Sequence, residues 1–76
     1  MTRGARVILG VRGLADPDDQ SRVAETLREL HGVLEVRAGD VGPEVGQLEV
    51  RYDDRETTVM EMIRAVRRLG YLAGME

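Results

Sequence analysis

Segments in which every second residue is apolar constrain the fold of this chain more than any other feature. Such a period is typical of a β-strand that buries one face and exposes the other. The two clearest segments, 6–12 and 48–52, therefore predict strands, and the shorter runs 33–38 and 71–73 predict two more. The alternating apolar side chains are Val7, Leu9 and Val11 in the first segment, and Leu48, Val50 and Tyr52 in the second.

Two stretches with helical spacing lie between the strands. The first is predicted to run to His31, with Gly32 as its stop, because glycine adopts a positive φ at little cost. The second begins at Thr58 and Glu61, which have the spacing of a capping box, and ends at Gly70. Their apolar stripes are Val23, Ala24, Leu27 and Leu30, and then Val59, Met62, Ile63, Val66 and Leu69.

The segment 39–46 contains three glycines and a proline, and it predicts a loop between two strands. The resulting element order is β-α-β-β-α-β. With right-handed crossovers, this order predicts an α+β, ferredoxin-like fold: a four-stranded antiparallel sheet with both helices on one face. A chain of 76 residues is expected to form a single domain over 1–76.

Composition excludes several functions. The formal net charge is −3 and the pI is about 5.1, which argues against binding to nucleic acid or to an anionic membrane. The chain has no cysteine, so it offers neither a thiolate nucleophile nor a sulfur-based zinc or copper site. No stretch is apolar and long enough to span a bilayer, and we expect a soluble, cytoplasmic domain.

Several short motifs match heavy-metal-associated domains in order and spacing. The chain resembles copper-chaperone-like proteins and the N-terminal domains of heavy-metal-transporting ATPases over nearly its whole length. The resemblance implies the ferredoxin-like fold and a metal-trafficking role. The motifs that carry it include Val11-Arg-Gly-Leu14, Leu30-His-Gly-Val33, Val50-Arg-Tyr-Asp53, Ala65-Val66 and Gly70-Tyr71.

The first loop departs from the family pattern. In that family this loop reads Gly-Met-x-Cys-x-x-Cys, and its two thiolates hold the metal. Here Leu14 occupies the methionine position, and Asp16 and Asp19 occupy the two cysteine positions. Soft Cu(I) selects thiolate and thioether ligands, whereas carboxylates suit hard cations. The substitution therefore predicts a domain that does not transfer Cu(I) or Zn(II) through thiolates.

The acidic loop has two interpretations. Asp16 is a favoured N-cap, Pro17 suits the first helical position, and acidic residues in the first turn interact well with the helix dipole. Alternatively, Asp16, Asp18 and Asp19 bind a hard divalent cation weakly; apart from this cation, no cofactor is expected. The resemblance implies that Tyr71 lies near this loop, and we expect it to pack over the helix cap with its hydroxyl toward water.

An enzyme is not expected, because no nucleophile is paired with a base. We predict a protein-interaction module with a partner of the metal-transport type; the hard-cation site is the alternative. The molecule is expected to be a monomer or a weak homodimer. The outer face of the sheet is predicted to present mixed charges, namely Arg12, Arg37, Glu49 and Arg51.

Overall fold

The computed structural model describes residues 4–14, 16–41 and 45–75, and it has the predicted element order. The sheet order is β2-β3-β1-β4, and every neighbouring pair of strands is antiparallel. This architecture confirms the α+β, ferredoxin-like fold. The elements are β1 (Ala5–Arg12), α1 (Pro17–Arg28), β2 (Val33–Val41), β3 (Val45–Tyr52), α2 (Val59–Arg68) and β4 (Leu72–Met75).

One aliphatic core joins the sheet to both helices. The inward residues of β1 and β3 are buried together with the stripes of α1 and α2, so both helices cover the same face of the sheet. Full burial of one such side chain stabilises the fold by about 1.5–3 kcal/mol. The residues with no exposed surface are Leu9, Val11, Val23, Leu27, Leu48, Val50, Met62 and Val66.

The first helix ends earlier than the sequence predicts. It stops at Arg28 with Glu29 as its C-cap, and the Leu30 N–H donates to the Leu27 carbonyl at 3.1 Å. Gly32 has the expected positive φ, 95°, but it serves a different turn. The Val33 N–H donates to the Leu30 carbonyl at 3.2 Å, which places Gly32 third in a four-residue turn where positive φ favours glycine. The predicted end at His31 was wrong.

The predicted loop 39–46 was also wrong at both of its ends. The strand β2 continues to Val41, and β3 already begins at Val45, so only residues 42–44 lie outside the described strands. Val41 pairs with Gly46, and an irregularity in register between Ala38 and Val41 absorbs the mismatch. Gly39 serves close strand approach rather than a loop, because a Cβ there would lie 3.1 Å from the Gln47 carbonyl oxygen.

The second helix begins as predicted. The Glu61 N–H donates to Thr58 Oγ1 at 3.3 Å, which is the N-cap half of the capping box. Met62 and Val66 of its stripe are buried, but Leu69 is 38% exposed. Leu69 is the C-cap residue, so the helix ends before it can turn this side chain toward the core.

The outer face of the sheet, turned away from the helices, carries the mixed charges that the sequence predicts. Arg12, Arg37 and Arg51 are exposed, and Glu49 is half-buried among them. Glu49 lies 3.5 Å from Arg6, and Glu35 lies 2.6 Å from Arg37. Exposed ion pairs of this kind contribute about 0–1 kcal/mol each to the stability of the fold. These side chains therefore matter mainly for the charge that the outer face presents.

Candidate functional site

The candidate site is the connection between β1 and α1, at the position of the family's metal loop. Leu14 anchors its beginning, because this side chain is buried and lies directly against β3. A Cβ at Gly46 would lie only 2.6 Å from Leu14 Cδ1, so the glycine makes room for the leucine. Leu14 therefore fills the family's methionine position as part of the core.

Asp16 is the N-cap of α1. Its backbone is extended, and its Oδ1 accepts a hydrogen bond from the Asp19 N–H at 3.0 Å. Pro17 occupies the first helical position, where the missing N–H costs nothing. The helix-cap interpretation of the acidic loop is confirmed. One of the two carboxylates at the family's ligand positions is thus already used inside the domain.

We expect Asp16→Ala to lower the free energy of unfolding by about 1 kcal/mol, because the substitution leaves the Asp19 N–H without its acceptor. Asp18→Ala is the matched control. Asp18 is exposed and lies in the same turn, but Asp16 supplies the cap. Urea denaturation of both variants measures the difference. Equal losses would show that charge near the helix dipole, and not the cap, stabilises this turn.

Tyr71 closes the site from the other end of the chain. Its hydroxyl donates a hydrogen bond of 2.7 Å to Asp19 Oδ1, although 52 residues separate the two. The ring lies over the loop, since a Cβ at Gly13 would be 3.4 Å from Tyr71 Cδ1. Tyr71 is near the loop as the resemblance implies, but its hydroxyl faces a carboxylate, and the expected orientation toward water was wrong.

The hydrogen bond to Asp19 raises the pKa of Tyr71 above its ordinary value of 10.0, and partial desolvation adds to the effect. A tyrosine with a raised pKa in the folded state favours folding while it is protonated. Its contribution is complete below pH 10 and disappears as the pH rises through the folded-state pKa.

We expect Asp19→Ala to bring the pKa of Tyr71 back toward its ordinary value. The measurement is a spectrophotometric titration of the phenolate, with Tyr52→Phe as the background so that one tyrosine remains. Asp18→Ala in the same background is the control, because Asp18 makes no contact with the Tyr71 hydroxyl among the hydrogen bonds of the described residues. An unchanged titration curve in Asp19→Ala would contradict the hydrogen bond.

The three acidic residues do not converge as a cation site. Asp16 and Asp19 accept hydrogen bonds from within the domain, and Asp18 is exposed to solvent. Within 4–14, 16–41 and 45–75, no group of three or more His, Cys, Asp or Glu residues is placed to hold a metal ion. Calcium takes six to eight oxygen ligands, far more than this loop presents together.

One contact at the opposite end of the helices was not predicted. His31 Nε2 lies 2.5 Å from Glu56 Oε2, joining the turn before β2 to the connection before α2. Both side chains are largely exposed, so the pair contributes little to stability. Nearby, the Arg55 N–H donates to Asp53 Oδ1 and lowers the pKa of that carboxyl. No sequence pattern pairs residues 25 positions apart in this way.

The fold and the loop define the class: a ferredoxin-like domain with carboxylates at the two positions where the resembled family has its metal ligands. No protein-family model matches the chain. The copper chaperone CopZ of Staphylococcus aureus is 36% identical over 64 residues, which cover 84% of this chain and 90% of CopZ. No helix in the described part of the chain is long and apolar enough to cross a membrane.

The comparison with solved structures points to the same family as this relative. A CopZ metallochaperone is 33% identical, with a TM-score of 0.78, and the match covers 92% of this chain and 100% of that one. Oxidized MerP from Ralstonia metallidurans CH34 is 27% identical, with a TM-score of 0.83, covering 97% and 99% of the two chains. The chain belongs to the heavy-metal-associated domain family, as a diverged member without cysteine. The resemblance found in the sequence is confirmed.

Proposed function

We propose that this protein is a non-catalytic protein-interaction module that does not transfer metal through its first loop. One observation carries the proposal: both carboxylates at the family's ligand positions accept hydrogen bonds from the domain itself, from the Asp19 N–H and the Tyr71 hydroxyl. A loop that exchanges metal with a partner must present free donor atoms. Here the atoms available to a metal are carboxylate oxygens, which are poor ligands for Cu(I). These oxygens accept hydrogen bonds within the domain instead.

The retained scaffold supports a docking role. The exposed acidic residues near the start of α1 and the exposed arginines at the end of α2 give the domain charged surfaces suited to steering an encounter. The partner that we propose is a component of metal transport, because a relative of this chain is a copper chaperone. The proposed partner meets the domain in the cytoplasm.

The first test asks whether the loop binds metal. We expect no competition with a Cu(I) chelator in an anaerobic titration, and no saturable NMR shifts at residues 16–20 with Ca²⁺, Mg²⁺, Mn²⁺ or Zn²⁺ below millimolar concentrations. Sub-micromolar Cu(I) binding would overturn the proposal. Saturable shifts with a hard cation would favour instead a weak divalent-cation site at Asp16, Asp18 and Asp19.

The second test asks whether the domain docks without metal. The probe is the N-terminal domain of the potential copper-translocating ATPase from Bacillus subtilis, a structural neighbour with a TM-score of 0.85. We expect reversible NMR shifts in the isotope-labelled protein that persist with a metal chelator present and weaken with added salt. Shifts that require Cu(I) would show metal-dependent contact and contradict a metal-free module.

A further inference from the structure

A surface away from the acidic loop is unusual for a solvated sheet. The outer face of an antiparallel sheet is normally polar, but where β1 meets β4 Arg12 is the one charged residue beside Gly10, Leu72 and Gly74. Gly10 pairs with Gly74, and Arg12 pairs with Leu72, so these four residues share the outer face. Leu72 is 58% exposed and Ile8, the next outward residue of β1, is 42% exposed. Exposed apolar surface of this kind commonly marks an interaction site.

The surface has the form of a groove that follows β4. Gly10 and Gly74 form its floor, because neither carries a side chain. Leu72, Val45 and Met75 contribute its apolar walls, and Met75 is 66% exposed. The charged side chains that line it within the described residues are Arg12 and Arg67. We call this surface the β4 groove.

The backbone of β4 is also open to pairing. The strand lies at the edge of the sheet and pairs only with β1, so its other side faces no strand of the described chain. The opposite edge, β2, carries the usual protection against pairing, with two register irregularities and the charged residues Glu35 and Arg37. The sequence of β4, Leu-Ala-Gly-Met, contains neither charge nor proline.

We propose that the β4 groove binds an extended acidic segment of a partner protein, which pairs with β4 as a fifth strand. The edge supplies main-chain hydrogen bonds, the floor of glycines admits one aliphatic side chain, and Arg12 and Arg67 attract carboxylates on either side of it. This inference rests on the proposed function, and it assigns the interaction module a docking edge.

A second copy of this chain is a poorer occupant. In a symmetric pairing of β4 with β4, the groove of one copy would meet the groove of the other. The pairing would bring together two grooves that carry the same two arginines, and it would supply no carboxylate from the groove residues to compensate them. An acidic segment supplies these carboxylates instead.

The test uses a short synthetic peptide in which valine and isoleucine alternate with glutamate. We expect saturable NMR shifts at residues 72–75 and at Gly10, with no shifts at residues 16–20. A peptide with lysine at each glutamate position is the control ligand, and we expect it not to bind. Binding of both peptides alike, or shifts confined to residues 16–20, would overturn the proposal.

Charge reversal locates the interaction. We expect Arg67→Glu to weaken peptide binding by about tenfold or more, since attraction becomes repulsion. Arg68→Glu is the matched control, because this arginine lies in the same last turn of α2 but does not line the groove. Equal weakening by both variants would contradict a specific role for the groove.

The outcomes also separate this inference from the proposed function. If the ATPase domain shifts signals elsewhere and leaves residues 72–75 unchanged, the interaction function stands and the β4 groove is not its surface. If signals of residues 72–75 instead change with protein concentration in the absence of any peptide, a second copy occupies the groove and the inference is wrong. Saturation by the acidic peptide with a dependence on Arg67 supports it.

Discussion

Replacing Asp16 and Asp19 together by cysteine is expected to create a tight Cu(I) site in this domain. The two positions lie in the same turn at the start of α1, since the Asp19 N–H donates to Asp16 Oδ1 at 3.0 Å, and they correspond to the two cysteine positions of the family. Thiolates at these positions would supply the soft ligands that Cu(I) selects, and the nearby helix N-terminus lowers the pKa of a thiol. We expect affinity at least about a thousandfold higher than that of the natural sequence.

The control replaces the same two residues by serine. Asp16→Ser with Asp19→Ser removes both carboxylates and keeps a side chain that can cap the helix, but it adds no sulfur. Anaerobic competition with a Cu(I) chelator compares the cysteine pair, the serine pair and the natural sequence. We expect competition from the cysteine pair alone.

The comparison distinguishes two ways in which a family can lose its metal. If the cysteine pair binds Cu(I), the scaffold still holds the geometry and only the donor atoms have changed. If it does not bind, the loop around Leu14 and Tyr71 has also changed shape, and the divergence is deeper than two substitutions. The proposed docking role needs only the scaffold, so it is compatible with either outcome.

The sheet and the core could be predicted from the sequence because their signal is periodic. Alternation in β1 and β3 places Leu9, Val11, Leu48 and Val50 on one face, and these four side chains are fully buried. A shift of one residue would expose all of them, so burial fixes both the face and the register. Asp16 as a helix cap was likewise predictable, because its acceptor role is local.

The ends of α1 and β2 could not be predicted, because glycine is an ambiguous signal. Gly32 has positive φ whether it ends a helix or occupies a turn, and only the hydrogen bond from Val33 to Leu30 distinguishes the two. Gly39 suits a loop and equally suits close approach of two strands. In both cases long-range contacts, which a local pattern does not contain, decide the structure.

At the candidate site, the hydrogen bond of the Tyr71 hydroxyl could not be predicted from the sequence. The family resemblance places this residue near the loop, but the family has cysteine where Asp19 stands here. The hydrogen bond between them therefore has no precedent in the resemblance. It joins two residues that lie 52 positions apart in the sequence, and only the structure shows that they are in contact.

Gly32→Ala is expected to be the most destabilising of the substitutions considered for this domain, at about 3 kcal/mol. Positive φ costs a residue with a Cβ about 1–2 kcal/mol, and overpacking adds about 1–3 kcal/mol. The new Cβ would lie 2.6 Å from the Cβ of Glu56 and 3.1 Å from its backbone carbon, so the neighbour cannot simply rotate away. A domain of 76 residues has only about 4–11 kcal/mol of stability in total.

Gly70→Ala isolates the contribution of the backbone. Gly70 has a φ of 97°, close to the 95° of Gly32, but a Cβ there would meet no atom of the described residues within 4 Å. We therefore expect a loss of only about 1–2 kcal/mol, measured by urea denaturation of both variants. If Gly32 acted only as a helix stop, the two losses would be equal. A larger loss at Gly32 shows that this turn must also pack against the start of the connection to α2, where the Asp53 N–H donates to the Gly32 carbonyl at 2.7 Å.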